Sequence, residues 1–161
     1  METVFRQSRR KKREISIDMA EKLLITERRG VFAVNGDGGY PYAIPINYVY
    51  DKANQKIYFH GAKIGHKVDS LKNSDKVCFT VYGNEAIKEE EWAPFVQSVV
   101  IFGRCNLIGE AENAEAKLRL LAEKYYPDEA SINEEIGKYG KAVQMYEITI
   151  EHMSGKEIQE K

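Results

Sequence analysis

Two lysines beside a short loop, which joins a β-run to a helix, carry the clearest chemistry in the sequence. Alternating aromatic and aliphatic residues predict a strand over Lys56–Phe59. Val68 and Leu71, three residues apart, predict a helix from His66 to about Lys72. The residues of chemical interest at this junction are Gly61, Lys63, Gly65 and Lys67.

A strand, a basic loop with glycines and a helix N-terminus together form a layout that binds phosphate. The first amides of a helix have no internal partner, and the helix dipole adds about half a positive charge there. Lys63 and Lys67 add mobile cations, while Gly61 and Gly65 let the backbone approach a ligand closely or take a positive φ. The junction therefore predicts a phosphate site. The alternative is a solvated turn, because the glycine spacing matches neither a Walker nor a Rossmann motif.

The same stretch resembles a known family. Residues 58–71 read Y-F-H-G-A-K-x-G-H-K-x-D-x-L, and residues 41–50 before them read P-Y-A-I-P-I-N-Y-V-Y. With these two motifs the chain resembles the pyridoxamine 5′-phosphate oxidase-like flavoproteins, which are split β-barrels that bind FMN. Within that group it is most similar to the nitroimidazole-resistance (Nim-type) reductases, over roughly residues 5–150.

The resemblance implies FMN as the cofactor, with FAD and haem as alternatives. The phosphate would lie by the two lysines and the amides near Gly65 and His66. The flavin ring would lie along the main chain of Ile46–Tyr48 and beside His60, and Ser98 would approach it across a subunit boundary. The implied cofactor-binding residues are Ile46, Asn47, Tyr48, Phe59, His60, Gly61, Ala62, Lys63, Gly65, His66, Lys67 and Ser98.

His60, at the end of the predicted strand Lys56–Phe59, is the candidate catalytic residue, because the resemblance implies that it lies close to the reactive ring. An imidazole at this position could donate a hydrogen bond to the flavin or to a substrate. A lone histidine at a strand end is also common as a structural residue, so both roles stay open.

The resemblance implies a flavin-dependent oxidoreductase that reduces a small organic acceptor, such as a nitroaromatic 5-nitroimidazole, with NAD(P)H as a candidate donor. The flavin would carry the redox chemistry, and the fold would supply position and electrostatics. The alternative is a non-enzymatic flavin- or haem-binding barrel, in which His60, His66 or His152 could ligate iron. A pyridoxamine phosphate oxidase in the strict sense is disfavoured, because no arginine pair follows Val143 to bind a substrate phosphate.

Length and composition are those of one ordinary globular domain over residues 1–161. The chain is 43% apolar and 30% charged, and no apolar run approaches the roughly 18 residues of a membrane span. The formal net charge of −1 argues against nucleic acid as the main partner. Cys78 and Cys105 stand alone without metal-ligand spacing, which favours free thiols in a reducing cytoplasm and predicts no metal site.

The N-terminal arm, residues 1–14, concentrates positive charge. Six cations fall within residues 6–13, and with Glu2 and Glu14 the arm carries about +4. Such a run could contact RNA or an anionic lipid surface, or it could pack as part of the fold. The structural role is favoured, because the resembling family has a similar arm before its first helix.

Closely spaced strands with glycine-marked turns predict a mainly β (α+β) fold, an antiparallel split β-barrel of six or more strands with flanking helices. A barrel of this size fills its interior with side chains, so a flavin would lie outside it and a homodimer would supply the other wall. The predicted helices are Ile17–Arg29 (capped by Ser16 or Asp18), Asn113–Tyr126 and Glu134–Tyr139, and the further strands are Val31–Asn35, Tyr40–Asp51, Lys76–Tyr82, Phe95–Glu110 (with a bulge or close approach at Gly103) and Val143–Glu151.

Two features interrupt this pattern. Pro41 and Pro45 lie inside the predicted strand Tyr40–Asp51, and because neither can donate to a ladder, one edge of that strand must be open or bulged. The acidic segment Lys88–Trp92 predicts a loop of about a dozen residues, in which Trp92 could anchor a dimer contact or touch a substrate.

Overall fold

The fold is one antiparallel sheet flanked by helices, seen in a computed structural model that describes residues 4–87 and 94–159. The strands lie in the order β2-β1-β5-β6-β7-β4-β3. The strands are β1 Arg29–Asn35, β2 Pro41–Asn47, β3 Val49–Asp51, β4 Lys56–Gly61, β5 Lys76–Ile87, β6 Pro94–Ile108 and β7 Gln144–Gln159, and the helices are α1 Ile17–Thr26, α2 His66–Asn73, α3 Ala114–Tyr125 and α4 Glu129–Tyr139.

Consecutive strands occupy the two opposite edges of the sheet. β2 and β3 are separated in the chain only by Tyr48, yet β2 ends one edge and β3 ends the other. β2 also lies close to β4, although the two strands are not paired. The sheet therefore curls into a barrel that stays open between β2 on one side and β3 and β4 on the other. This confirms the predicted mainly β split barrel.

The main core lies between α1 and the inner face of the sheet. Leu23 and Leu24 of α1 are at most 1% exposed and belong to the same cluster as Phe79 of β5. The predicted cap of α1 is confirmed, because the Met19 amide donates to the Ser16 hydroxyl at 3.2 Å. A second, smaller cluster beneath α3 consists of Tyr58, Ile108, Leu121 and Met145.

The long pair of β6 and β7 holds the two ends of the sheet together. Its register shifts between Phe102 and Gly103, which confirms the irregularity predicted there. A Cβ atom on Gly103 would lie only 2.3 Å from the Thr149 carbonyl oxygen, so a side chain does not fit at this position.

Several predicted bounds were wrong. α1 ends at Thr26, because Arg29 already pairs with Asn47 in the sheet. The predicted strand Tyr40–Asp51 is two strands, β2 and β3. α4 begins five residues earlier than predicted, and β5 and β7 extend beyond their predicted ends because they stay paired with β6.

The sequence also raised the questions of a membrane span and of a metal site. Across residues 4–87 and 94–159, no helix combines the length and apolarity needed to cross a membrane. The same residues contain no group of three or more side chains suited to hold a metal ion. Trp92 and the acidic segment around it lie outside the described residues, so their predicted roles stay predictions.

Candidate functional site

The free edge of β2 presents main-chain groups to the split of the barrel. In the described sheet β2 pairs only with β1, and Pro41 lies opposite Asn35 while Pro45 lies opposite Val31. Because a proline cannot donate to a ladder, these pairs direct their main-chain nitrogens away from β1. Residues two apart share that direction, so Asn47 also turns its amide towards the free edge. The open edge predicted from the prolines is confirmed.

Ile46 and Tyr48 were also predicted to border a flavin ring. Both side chains pack in the interior of the protein. Ile46 lies opposite Gly30 and packs against the main core. Tyr48 is fully buried, and its hydroxyl donates to the Leu24 carbonyl at 2.6 Å. Its main-chain amide donates to the Tyr125 hydroxyl at 2.9 Å, and the same hydroxyl lies 2.8 Å from the Tyr48 carbonyl oxygen. Tyr125 therefore fixes the crossover between β2 and β3.

Replacing Tyr125 with phenylalanine should destabilise this crossover. The variant removes the partner of both main-chain groups of Tyr48, which is fully buried, and we expect the free energy of unfolding to fall by about 1–3 kcal/mol. Urea denaturation measures the change. Tyr126→Phe at the neighbouring position is the control, because Tyr126 is 40% exposed and a surface change should cost less than about 0.5 kcal/mol. Equal losses in the two variants would contradict this role of Tyr125.

Tyr146 contacts the end of β4 and the start of the following loop from inside the barrel. Phe59 is fully buried, and its ring stacks on Tyr146 with the ring centroids 4.7 Å apart. The Tyr146 hydroxyl donates to the Ala62 carbonyl at 3.2 Å, which fixes the start of the loop. The Phe59 side chain is therefore a core residue, and only its main chain faces the ladder with β7.

The loop after β4 leaves open space at the N-terminus of α2. Gly65 caps the helix with a φ of 137°, and beyond its chain neighbours no described atom lies within 4 Å of where its Cβ would be. It provides no side-chain acceptor for the first helical amides. Lys63 is exposed, whereas Lys67 is half-buried, with its Cε 3.5 Å from the position of a Cβ on Gly61. The protein's own side chains therefore do not fill this corner, which we call the Lys63–Lys67 corner.

The His66 side chain contacts the hairpin between β1 and β2. Its ring stacks on Tyr42 with centroids 4.0 Å apart. Its Nε2 atom lies 3.8 Å from an Asp37 carboxylate oxygen and is buried without a hydrogen bond in the described chain. Because the side chain faces the hairpin, the main-chain amide of His66, at the first position of α2, is the group of this residue that can bind an anion at the helix N-terminus.

A cavity of about 420 Å³ lies between the split of the barrel and the helices α3 and α4. Asn47 and His60 line it from the sheet, so the structure brings together two of the residues predicted to border the ring. We call it the helical cavity. Its other walls are mainly apolar and aromatic, and they include Leu121, Tyr125, Tyr126, Ile136 and Tyr139, with Glu135 as the acidic member.

His60 is the titratable residue that the sheet contributes to the helical cavity. It lies opposite Met145 in the β4–β7 pair and remains exposed at its surface. Loss of water around the ring lowers the pKa of the His60 imidazole below its usual value. The lowered pKa favours the neutral imidazole at pH 7, in which one nitrogen donates and the other accepts.

Ser98 lies elsewhere in the same chain. It pairs with Tyr82 of β5 and Lys156 of β7, whereas His60 pairs with Met145 of β7. Eleven residues of β7 separate these two points, a contour length of about 36 Å at about 3.3 Å per residue. One chain thus does not bring Ser98 to the helical cavity.

Sequence reasoning missed the contribution of α3 and α4. Tyr125 lies in the predicted helix Asn113–Tyr126 and has no predicted site role, although it anchors Tyr48 and lines the helical cavity. Lys124 beside it places its Nζ 3.8 Å from the centre of the Tyr48 ring and donates to the Glu27 carbonyl at 2.5 Å. Burial, helped by the nearby Arg28 cation, lowers the pKa of Lys124 to about 8. The run of aromatic residues at the end of α3 was the available signal.

Comparisons with known proteins agree on the fold. The family model for pyridoxamine 5′-phosphate oxidase matches residues 16–157. Among curated protein sequences, none matches the chain.

Solved structures with the same fold are distant in sequence. A candidate 5-nitroimidazole antibiotic resistance protein from Bacteroides thetaiotaomicron is 18% identical with a TM-score of 0.77, covering 91% of this chain and 87% of its own. An FAD-binding protein from Mesorhizobium loti is 21% identical with a TM-score of 0.66, covering 91% and 97%. The flavocytochrome Anf3 from Azotobacter vinelandii is 20% identical with a TM-score of 0.68, covering 93% and 71%.

Proposed function

The chain belongs to the pyridoxamine 5′-phosphate oxidase family, and on this premise we propose that it is an FMN-dependent oxidoreductase that reduces a small organic acceptor. The observation that carries the proposal is that Asn47 and His60 line one cavity beside the open edge of β2. Both residues are expected beside a flavin ring.

The Lys63–Lys67 corner fits the phosphate of such a cofactor. It offers free space beside Gly65 and the first amides of α2, whose dipole favours an anion. Lys63 in the loop and Lys67 in the first turn of α2 add two cations. Neither lysine lies within 4.0 Å of a carboxylate oxygen of the described residues, so both charges are available.

The β2 edge and His60 fit the polar rim of a flavin ring. Asn47 directs its main-chain amide to the free edge, and its side-chain oxygen accepts a hydrogen bond from the Arg29 guanidinium, which holds the residue in place. The neutral His60 imidazole can donate one hydrogen bond at the same cavity. When bound, the flavin itself supplies the electron transfer, and these residues supply its position.

The helical cavity fits a flat acceptor of low polarity. Its walls of Leu121, Ile136 and Tyr139 exclude water from a ring placed there, and Glu135 disfavours an anion. A nitroaromatic compound such as a 5-nitroimidazole has this shape and charge. The Bacteroides protein, described as a candidate for resistance to such compounds, makes this acceptor class the first to test. NAD(P)H is the proposed electron donor.

We include a homodimer in the proposal, with the flavin at the subunit interface. The outer face of the central strands carries a partly exposed row, in which Val31, Thr80 and Val100 lie opposite one another. Phe102 beside this row is 39% exposed. Apolar side chains of this kind on a sheet face indicate a protein contact. A second copy would also supply the Ser98 that a single chain places away from His60.

The second candidate, a barrel that binds a flavin without turnover, remains an outcome of the test. Haem is the weaker ligand, because two of the three histidines are engaged. His66 stacks on Tyr42, and His152 stacks on Phe5 with centroids 4.9 Å apart. The free thiols Cys78 and Cys105 fit the cytoplasm that we propose as its location.

The test begins with the ligand of freshly purified protein. We expect the two-band absorption of an oxidised flavin and, after denaturation, release of a compound with the mass of FMN. After anaerobic reduction with NADPH or dithionite, a 5-nitroimidazole should restore the oxidised spectrum. Protein that contains no flavin and takes up none from solution would contradict the proposal. Bound flavin that no nitroaromatic or quinone acceptor reoxidises would favour the binding protein.

A further inference from the structure

The helical cavity carries a negative charge on its helical wall. Asn47 and His60 line it from the strands, whereas Glu135 and Tyr139 line it from α4. Glu135 is the only Asp, Glu, Lys or Arg among the described residues that line the cavity. A carboxylate in a wall that is otherwise mainly apolar and aromatic costs free energy unless a partner compensates it. The identity of that partner is therefore a question about the ligand of the cavity.

The structure provides no counter-charge for Glu135. This residue is half-buried, and within residues 4–87 and 94–159 no nitrogen of a lysine, arginine or histidine lies within 4.0 Å of its carboxylate. Its neighbour Glu134 is exposed and pairs with Lys138 at 2.7 Å, so a nearby cation of α4 is already paired. The negative charge of Glu135 is thus available to a ligand.

The lysines of α3, the helix that packs against α4, contact other groups. Lys117 places its Nζ 5.2 Å from the centre of the Tyr58 ring, and Lys124 lies over the ring of Tyr48. Neither lysine lines the helical cavity. Because these cations are directed elsewhere, α3 does not neutralise the carboxylate on the opposite helix.

Two tyrosine rings lie in the same cavity as this carboxylate. Tyr139 follows Glu135 by four residues, which makes the two side chains neighbours on α4 with Cβ atoms about 5–6 Å apart. Tyr126 lines the cavity from the end of α3. The two rings are 57% and 40% exposed, so a ligand can reach them. Aromatic faces attract cations, and a carboxylate pairs with an ammonium through charge-assisted hydrogen bonds.

We propose that the helical cavity binds an aromatic ligand with a cationic amine, and that Glu135 determines this specificity. The amine lies by Glu135 and the rings of Tyr126 and Tyr139, and the flat ring of the ligand lies between the apolar walls. Any reducible group then points towards the sheet, where His60 lies. The inference deepens the proposed function and rests on it only for the ligand's role as electron acceptor.

Three indole compounds of similar size test the charge preference. Tryptamine carries an ammonium group at pH 7, tryptophol a neutral hydroxyl and indole-3-acetate a carboxylate, and none of them needs to be reduced for its binding to be measured. We expect tryptamine to bind about tenfold more tightly than tryptophol, because a charge-assisted hydrogen bond is gained, and indole-3-acetate to bind most weakly. Calorimetric titration of the full-length protein, both flavin-free and loaded with FMN, measures the three affinities.

Two substitutions with the same charge change locate the amine. Glu135→Gln should reduce the preference for tryptamine over tryptophol to about twofold or less and leave the affinity for tryptophol within about twofold of the wild type. Glu134→Gln is the control, since Glu134 is adjacent in α4 but does not line the cavity, and it should keep the roughly tenfold preference. Unchanged tryptophol binding in Glu135→Gln also shows that the variant is folded.

Several results would overturn the inference. These are equal affinities for the three indoles in the wild type, absence of binding by all of them, and equal loss of preference in the two variants. Tryptamine that binds flavin-free protein and is excluded by FMN would mean that the flavin itself fills the cavity. A preference that depends on Glu135 supports the inference even in protein that reduces no acceptor. Conversely, FMN-loaded protein that reduces a nitroaromatic compound but shows no such preference keeps the proposed function and rejects the inference.

Discussion

Lys67→Glu should weaken FMN binding by about 100-fold while leaving the fold intact. The substitution removes a charge-assisted phosphate contact worth about 1.5–3 kcal/mol and adds repulsion between the new carboxylate and the phosphate. A total near 3 kcal/mol corresponds to about two orders of magnitude in affinity. Lys67 is half-buried over Gly61 and makes no ion pair with the described residues, so the fold loses little. Quenching of flavin fluorescence during titration of the apoprotein measures the affinity.

Lys72→Glu on the same helix is the matched control. Lys72 lies in the last turn of α2 and pairs with Asp69 at 4.0 Å, so its reversal disturbs the helix at least as much as Lys67→Glu does. We expect a similar or larger loss of thermal stability with FMN affinity changed less than about threefold. Unchanged flavin occupancy in Lys67→Glu, or equal loss in both variants, would contradict the assignment of Lys67 to the phosphate.

The junction of β4 and α2 was predictable because local residues determine it. Alternation over Lys56–Phe59 gives the strand, and the glycine at position 65 permits the positive φ that starts the helix. The predicted helix from His66 agrees with α2 to within one residue at its end. The direction of the His66 side chain was not predicted, since Tyr42 and Asp37, which its ring contacts, belong to a hairpin well before it in the chain.

The crossover at Tyr48 could not be found from periodicity. Tyr42, Ile46, Tyr48 and Tyr50 all face the interior, although the chain changes from one edge of the sheet to the other between Asn47 and Val49. A barrel has one interior, so the alternation continues across the break. Only the prolines signalled that the ladder was interrupted.

The wrong predictions concern contacts between residues that are distant in the sequence. The last strand was predicted to end at Glu151, yet Ser154 and Lys156 continue it and pair with Val100 and Ser98 of β6. The helical cavity likewise depends on how α3 and α4 pack across the split, which spacing within either helix does not encode. The residues that α3 and α4 contribute to it were therefore absent from the predicted site, whereas Asn47 and His60 were part of it.

Phe59→Ala should cost about 3–5 kcal/mol of unfolding free energy, the second large effect we expect. The ring is fully buried between Tyr146 and Phe32, with centroid distances of 4.7 and 4.8 Å, and its removal leaves a cavity that rigid neighbours do not fill. Chemical denaturation measures the loss. Tyr40→Ala, where the ring is 78% exposed, should cost about 0.5 kcal/mol or less and serves as the control.

Phe59→Leu separates the two roles that this residue was given. Resemblance assigned Phe59 to the cofactor, whereas the structure buries its side chain in the core. Leucine keeps most of the apolar volume, so the protein stays folded at a smaller cost, and the main chain that leads to His60 keeps its pairing with β7. If the side chain serves packing alone, FMN stoichiometry and affinity should match those of the wild type after correction for the folded fraction. A folded Phe59→Leu protein that loses FMN would instead mean that the ring contacts the cofactor, and the placement of the flavin relative to β4 would have to change.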